Sequence, residues 1–383
     1  HNDGLEDTVE KLNILVKDAI VRQLVADVPV CTFLSGGLDS SAITALAANS
    51  FREEKKLQLH TYSIDYVDNE KYFRPSLFQP NPDSPWVKRM SDEFDTSHHY
   101  VEFDTPQLTE ALVSAVEARD MPGMADVDSS LWLFCREVKK NATVALSGEC
   151  ADEVFGGYPW FHRNEMLNAD TFPWSRNHSE RTRVLSRELI EAIKPEEYVQ
   201  RRYQETLDEV PRLPGETGIE ERRREMFYLN FTWFMQTLLD RKDRMSMAHG
   251  LEVRVPYCDH RLVQYVWNIP WEMKMYNGRE KGLLRRALEG VLPDDVLYRK
   301  KSPYPKTHNP SYEKAVKEWM MDILADATSP ILPFIDAKKI RSLAEGGSDY
   351  GRPWFGQLMA TPQLFAYLIQ VDVWLRRYKV RVI

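Results

Sequence analysis

The start of the chain alternates between helix-like and strand-like patterns of apolar positions. Apolar residues at helical spacing, such as Leu12 and Val16, predict an amphipathic helix over about residues 5–24. The apolar run at residues 28–34 is typical of a buried strand. A Ser-Gly-Gly turn ends it, and the alanine-rich segment at residues 39–48 has a helical pattern.

The same unit then repeats. Further strands are predicted at residues 57–64, 98–103 and 142–146, and further helices at residues 83–94, 105–118 and 129–140. Strands that alternate with helices favour a parallel sheet covered on both faces, and right-handed crossovers wind it in both directions. The sequence therefore predicts an α/β fold with a doubly wound parallel sheet of about five strands.

The pattern changes near residue 161, where strand signals become scarce and mixed-charge segments with Trp and Leu at helical spacing begin. We therefore predict two domains, a parallel α/β core over residues 1–160 and a mostly helical C-terminal lobe over residues 161–383.

Charge and cysteine content narrow the class of protein. The formal net charge is −8, whereas nucleic-acid binding usually needs a basic face, so we predict no nucleic-acid partner. Neither a membrane-length apolar run nor a signal-peptide pattern is present, which predicts no membrane contact. The four cysteines are scattered without zinc or redox spacing, which is typical of a reduced, cytoplasmic protein.

The first glycine loop (residues 34–41, LSGGLDSS) lies between a predicted strand and a predicted helix. Its glycines let the backbone approach an anion, and the helix directs free N–H groups at the same place. The loop lacks the lysine of a Walker A motif and the third glycine of a dinucleotide fingerprint. It predicts a polyphosphate site at which Asp39 brings positive charge through Mg²⁺.

The second glycine loop (residues 146–158, LSGECADEVFGGY) follows the last predicted strand. Glu149, Asp152 and Glu153 place acids where a phosphate site is expected, which makes sense if Mg²⁺ is shared between them. An acidic helix N-terminus would look the same. The basic triplet at residues 299–301 could also meet phosphate, but a solvated loop is the interpretation that its composition favours.

The first glycine loop resembles the signature of the PP-loop ATP pyrophosphatases, which include the asparagine, GMP, NAD, argininosuccinate and β-lactam synthetases. The second glycine loop is similar to a stretch of the asparagine synthetases. Two further segments agree with that family, DRMSMAHGLEVRVPY at residues 243–257 and EKGLLR at residues 280–285. The resemblance covers nearly the whole chain.

This resemblance implies ATP-dependent amidation of aspartate to asparagine through β-aspartyl-AMP, with release of AMP and pyrophosphate. It implies that Glu149 and Lys281 are catalytic and that Asp39 and Asp152 hold Mg²⁺. It also implies a set of ATP-binding positions: Leu34, Ser35, Gly36, Gly37, Asp39, Ser40, Ile64, Ser147 and Gly148.

The family pattern is not matched everywhere. Cys150 stands where the family loop has its second glycine, and the acidic stretch at residues 118–128 does not match the substrate stretch of some asparagine synthetases. Two alternatives therefore stay open: a related enzyme of the β-lactam synthetase or peptide cyclase type, and a catalytically silent nucleotide-binding subunit. Glu149 favours ammonia chemistry, because a tyrosine commonly stands there in the related enzymes.

The expected substrates are aspartate and ammonia, with ATP as co-substrate. The family's N-terminal glutaminase domain has no counterpart in the sequence, and the polar opening at residues 1–7 is typical of a linker. We therefore expect a piece of a longer protein that uses free ammonia, with a glutaminase domain or subunit as an alternative source. The oligomeric state stays open, with a homodimer as one option.

Overall fold

The computed structural model describes residues 1–55, 57–73, 75, 81–176, 181–346 and 360–382. The chain forms two compact units, each assembled from three stretches. The first unit takes residues 1–102, 134–162 and 230–305, and the second takes residues 103–133, 163–229 and 306–383. The domain boundary near residue 160 stays a prediction.

The described residues contain one five-stranded sheet with the order β3-β2-β1-β4-β5. β1 pairs in parallel with β2 and β4, and β4 pairs in parallel with β5. This confirms the predicted α/β fold with a doubly wound parallel sheet. The strands are β1 (Val30–Phe33), β2 (His60–Tyr66), β3 (Ser97–Phe103), β4 (Val144–Leu146) and β5 (Glu252–Arg254).

Helices dominate the rest of the described chain. They are α1 (Leu5–Arg22), α2 (Leu38–Ser50), α3 (Asn69–Tyr72), α4 (Ser84–Phe94), α5 (Thr105–Arg119), α6 (Asp126–Lys139), α7 (Ala151–Phe155), α8 (Pro159–His162), α9 (Asn164–Leu167), α10 (Arg187–Ile193), α11 (Pro195–Asp208), α12 (Ile219–Leu229), α13 (Gln236–Met247), α14 (His260–Trp267), α15 (Trp271–Lys274), α16 (Gly282–Ala287), α17 (Asp294–Leu297), α18 (Pro310–Ala325), α19 (Ala337–Ala344) and α20 (Thr361–Arg377). None of these described helices is long and apolar enough to cross a membrane.

The fifth strand lies in a region that the sequence predicted to be helical. Only Val253 of its three residues is apolar, so the strand is too short to show a period of two. Its parallel register with β4, in which Val253 lies opposite Ala145, defines it instead. This strand could therefore be recognised only from its long-range pairing.

The strand order places both glycine loops at one point of the sheet. The chain runs outward from β1 to β3 and then returns to place β4 on the other side of β1. The winding direction therefore reverses between β1 and β4, which makes this the topological switch point. Because parallel strands end at the same edge, the loops that follow β1 and β4 are neighbours there.

Helix α6 begins at Asp126, three residues before the predicted start at 129. The sequence pattern placed Asp126 and Asp128 in the loop before this helix, but the structure places both in its first turn with buried side chains. Gln363 Nε2 donates to Asp126 Oδ2 at 3.1 Å within the second unit. Burial raises the pKa of Asp126 to about 6; Gln363 and Lys306 oppose the rise, and the charge of Asp128 adds to it.

This buried carboxyl predicts a pH-dependent stability. Because the pKa of Asp126 is higher in the folded state, the folded state binds more protons between about pH 4 and about pH 6. The free energy of unfolding should therefore fall by up to about 3 kcal/mol as the pH rises through this window. Asp126→Asn should remove that loss, as measured by urea denaturation at several pH values.

Asp322→Asn, at an exposed position of α18, is the matched control and should leave the pH dependence unchanged. Equal pH slopes for Asp126→Asn and the wild type would contradict the prediction.

Candidate active site

The first glycine loop joins β1 to α2 and is closed by a contact between two of its own serine hydroxyls. The Ser35 and Ser40 hydroxyl oxygens lie 3.0 Å apart. Gly36 has φ 68°, and a Cβ there would lie 2.4 Å from Trp86 Cβ, so only glycine fits. Gly37 is the N-cap of α2, whose first N–H groups have no partner within the helix. The loop thus offers hydroxyl and amide donors to an anion.

The second glycine loop follows β4 and contacts the first. A Cβ on Gly148 would lie 2.9 Å from the backbone nitrogen of Ser40, so the two backbones touch. Cys150 has φ 75°, in the left-handed region that favours glycine. This backbone conformation explains why the related loop pattern has glycine at that position. The Cys150 side chain that stands there instead is buried.

A lysine from a distant part of the sequence joins the two loops electrostatically. Lys281 Nζ lies 2.6 Å from Asp39 Oδ2 and 2.6 Å from Asp152 Oδ1. Each glycine loop therefore contributes one carboxylate to the same ammonium group. Lys281 is 2% exposed and immediately precedes α16.

Burial and the neighbouring charges have opposing effects on the pKa values of the three side chains in this cluster. Burial disfavours the charge of Lys281, but Asp152 and Asp39 hold its pKa above the ordinary value. Burial likewise opposes ionisation of Asp152, yet the attraction of Lys281 and Lys301 keeps its pKa well below the usual range. At Asp39 burial outweighs the attraction of Lys281, and with the charge of Asp152 it raises the pKa.

The carboxylates fit a cation that is shared with a phosphate ligand. Asp39 Oδ1 is buried and accepts no hydrogen bond. Within the described residues, no group of three or more His, Cys, Asp or Glu is arranged to hold a metal. Mg²⁺ commonly takes one or two carboxylates and completes its shell with phosphate oxygens and water. Asp39 and Asp152 suit such a site and do not suit an all-protein cage.

Glu149 has one anchored oxygen and one unpaired oxygen. Arg241 Nη2 donates to Glu149 Oε1 at 2.9 Å, and Lys242 Nζ lies 3.6 Å from the same oxygen. Glu149 Oε2 is buried and has no hydrogen-bond partner. The two cations orient the carboxylate, which leaves Oε2 able to accept a proton from a ligand.

The remaining predicted site residues lie at the same ends of the strands. Leu34 directly follows β1, and its N–H donates to the carbonyl of Tyr62. The carbonyl of Leu34 therefore lies at the end of the strand. Ile64 is half-buried on the neighbouring β2. Ser147 follows β4, and its N–H donates to the carbonyl of Arg254.

The structure adds residues that the sequence did not place at the site. Arg241 and Lys242 come from α13, and no local motif links them to Glu149. Arg299 donates to the Ser35 carbonyl at 3.2 Å and to Asp83 Oδ1 at 2.5 Å. All of these contacts join residues that are far apart in the sequence. The basic triplet at residues 299–301 was therefore the only sequence signal for any of these cations at the site.

The fold and the site together define a doubly wound α/β protein with two glycine loops and a buried ion-pair cluster at the switch point of its sheet, the place where such sheets bind ligands. The chain belongs to the asparagine synthase family, whose profile matches residues 11–376. This confirms the resemblance predicted from the glycine loops.

Individual relatives agree with this assignment. Asparagine synthetase (glutamine-hydrolyzing) 3 of Bacillus subtilis is 57% identical over 381 residues, which cover 99% of this chain and 62% of that protein. Asparagine synthetase (glutamine-hydrolyzing) 1 of the same organism is 27% identical over 83% of this chain and 53% of the relative. The human asparagine synthetase (glutamine-hydrolyzing) is 26% identical over 78% of this chain and 43% of its own length. The chain thus spans less than two thirds of the length of each of these relatives.

Proposed function

We propose that this chain catalyses the ATP-dependent amidation of aspartate to asparagine, through β-aspartyl-AMP, with release of AMP and pyrophosphate. The observation that carries the proposal is the ion-pair cluster in which Lys281 bridges Asp39 of one glycine loop and Asp152 of the other. Family membership supports the same activity.

ATP is the proposed occupant of the switch point. The hydroxyls of Ser35 and Ser40 and the backbones of Gly36, Gly37 and Gly148 would hold its phosphates, because they offer donors without a bulky side chain. The backbones of Leu34 and Ile64 would meet the adenine, and Ser147 would add a further contact. Asp39 and Asp152 would hold Mg²⁺, which when bound neutralises charge on the phosphate oxygens.

Lys281 is proposed to act in the adenylation step. The aspartate carboxylate attacks the α-phosphate, and negative charge builds on the phosphoryl oxygens as pyrophosphate departs. A buried ammonium group at the junction of both loops stabilises that charge without reorganisation of solvent. The ion pairs with Asp39 and Asp152 hold the ammonium in place before ATP binds.

Glu149 is proposed to act in the amidation step. Ammonia attacks the acyl carbon of the adenylate, AMP leaves, and the new amide nitrogen must lose a proton. Glu149 Oε2 can take this proton because it is buried and unpaired while Arg241 anchors Oε1.

A glutaminase domain or subunit is the proposed ammonia source beside free ammonia, since the relatives are named for glutamine hydrolysis. The four free thiols support a cytoplasmic location.

The test is a product assay with ATP, Mg²⁺, aspartate and ammonium that scores both pyrophosphate and asparagine. Equal amounts of the two products are expected. Pyrophosphate that forms only with another carboxylate or nucleophile would contradict the proposed substrate and favour the β-lactam synthetase or peptide cyclase type. Absence of both products with every acceptor would contradict the proposed activity and leave a nucleotide-binding role.

Asp39→Asn should reduce pyrophosphate release by ~10²-fold or more, because the carboxylate charge at the phosphate site is lost. The melting temperature should stay close to that of the wild type, because asparagine fills the same volume, Lys281 keeps its ion pair with Asp152, and burial already disfavours the charge of Asp39. Asp27→Asn, at an exposed position, is the control and should retain full turnover. Wild-type turnover in Asp39→Asn would remove Asp39 from the site.

A further inference from the structure

Two of the four cysteines lie together beside the candidate site, although they are far apart in the sequence. Cys150 belongs to the second glycine loop, and Cys258 belongs to a single 3₁₀ turn (Pro256–Cys258) that follows β5. β4 and β5 pair in parallel with Leu146 opposite Arg254, and each cysteine lies four residues beyond its member of that pair. Because parallel strands end at the same edge of a sheet, this register brings the two cysteines to the same place.

The side chains of the two cysteines contact each other. The thiols of Cys150 and Cys258 are hydrogen-bonded, and this contact together with burial raises the pKa of Cys150. The Cys258 thiol also donates to the Met235 thioether, with 4.0 Å between the sulfur atoms. Next to this thiol pair, the rings of Phe155 and Tyr257 pack edge to face with their centroids 6.4 Å apart. This packing holds the segments that carry the two thiols side by side.

The two thiols differ in their exposure to solvent. Cys150 is 2% exposed, whereas Cys258 is partly exposed. A small oxidant therefore reaches the Cys258 sulfur first, and the raised pKa of Cys150 keeps that side chain in the thiol form at this stage. An accessible thiol beside a second thiol that can resolve it is the arrangement of a redox-sensitive site.

The backbone at Cys150 does not itself favour a cysteine. Its φ of 75° lies in the left-handed region, where any residue with a Cβ is strained and glycine is not. A thiol that only fills space is therefore a poor reason for a cysteine at this position. Formation of a disulfide does require one.

We propose that Cys150 and Cys258 form a reversible disulfide that inactivates the proposed active site, with hydrogen peroxide as the oxidant. The Cys258 sulfur attacks the peroxide, the O–O bond breaks, and a sulfenic acid forms as one molecule of water leaves. The Cys150 sulfur then attacks the sulfenic sulfur and loses its proton, and a second molecule of water leaves as the S–S bond forms. The thiols together lose two electrons and two protons, which the peroxide takes up. A dithiol reductant reverses the oxidation by thiol–disulfide exchange.

The disulfide should disturb the site because both linked segments contact it. Glu149 directly precedes Cys150, and Asp152 follows shortly after. The Tyr257 hydroxyl donates to the Asp39 carbonyl at 3.2 Å. An S–S bond is only about 2.05 Å long, so the loop must move for the bond to form. A displacement of ~1 Å at the reacting groups can lower the rate by ~10²-fold.

The experiment treats the full chain with hydrogen peroxide and then with dithiothreitol. Peptide mass spectrometry scores the cross-link between Cys150 and Cys258, and pyrophosphate release scores turnover. The wild type should gain the cross-link, lose turnover by ~10²-fold and recover it on reduction. Cys258→Ser and Cys150→Gly should form no cross-link, and each should stay within about twofold of its own untreated rate.

Cys31→Ala is the matched control, because it removes a buried thiol from β1 and leaves the thiol pair intact. It should lose turnover in peroxide as the wild type does. An equal loss of turnover in Cys258→Ser and in the wild type would show that oxidation acts elsewhere and would overturn the inference. Treated wild type that lacks the cross-link, or that carries it and keeps full turnover, would overturn the inference as well.

The cross-link readout separates this inference from the proposed function, on which only the effect on turnover rests. If the untreated wild type binds MgATP but makes no asparagine, the proposed function alone fails. A reversible cross-link in the wild type with a matching loss of MgATP binding, measured by calorimetry and absent from Cys258→Ser, would still support the disulfide and its effect on the second glycine loop.

Discussion

Lys281→Met should reduce pyrophosphate formation by ~10³-fold, the largest loss expected of any single change in this chain. The ammonium of Lys281 is the only group within the described residues that lies within 2.6 Å of a carboxylate from each glycine loop. Methionine keeps much of the side-chain length but has no charge. It can neither stabilise a developing phosphoryl charge nor hold the two loops together electrostatically.

The same change should alter stability in a pH-dependent way. Without Lys281, Asp39 loses its ion-pair partner and keeps only the more distant attraction of Lys301, while Asp152 keeps its ion pair with Lys301. Removing one partner from a buried ion pair typically costs about 3–5 kcal/mol. The unpaired Asp39 would take a proton more readily, so the cost should be smaller at low pH and grow as the pH rises. Pyrophosphate release and urea denaturation at several pH values measure both effects.

Lys88→Met is the matched control, because Lys88 is an exposed lysine whose partner is Asp92 on the same helix. It should retain turnover and lose little stability. A Lys281→Met variant with the turnover of Lys88→Met would exclude Lys281 from the chemistry.

Glu149→Gln should still bind ATP but should lose asparagine formation by ~10²-fold or more. Glutamine can retain the hydrogen bond from Arg241 through its carbonyl oxygen. It replaces the unpaired Oε2 with an amide nitrogen that cannot accept a proton. The predicted defect therefore lies in the amidation step, and nucleotide binding should be preserved.

Calorimetry with MgATP and quantification of asparagine against pyrophosphate distinguish these steps. Glu10→Gln, at an exposed position of α1, is the control. A normal ratio of asparagine to pyrophosphate at a normal rate in Glu149→Gln would remove Glu149 from the mechanism. Loss of ATP binding in this variant would instead assign Glu149 to the nucleotide site.

Most helices and strands of the α/β core could be predicted because the spacing of apolar residues that marks them is local in the sequence. The predicted helix over residues 5–24 and the strand over residues 98–103 differ from α1 (Leu5–Arg22) and β3 (Ser97–Phe103) by at most two residues at either end. By contrast, β5 was missed because three residues carry too little pattern. The start of α6 was misplaced because buried acids have the composition of a loop.

The sequence by itself determined the two glycine loops, since each is a strand, a turn and a helix start within one short segment. Only the tertiary structure decided which charged side chains contact one another at the site. Lys281 is 242 residues from Asp39 along the chain, and Arg241 is 92 residues from Glu149. Ion pairs over such separations leave no periodic signal. They form because the sheet brings the ends of β1 and β4 together and buries the charges at one point, where each needs a partner.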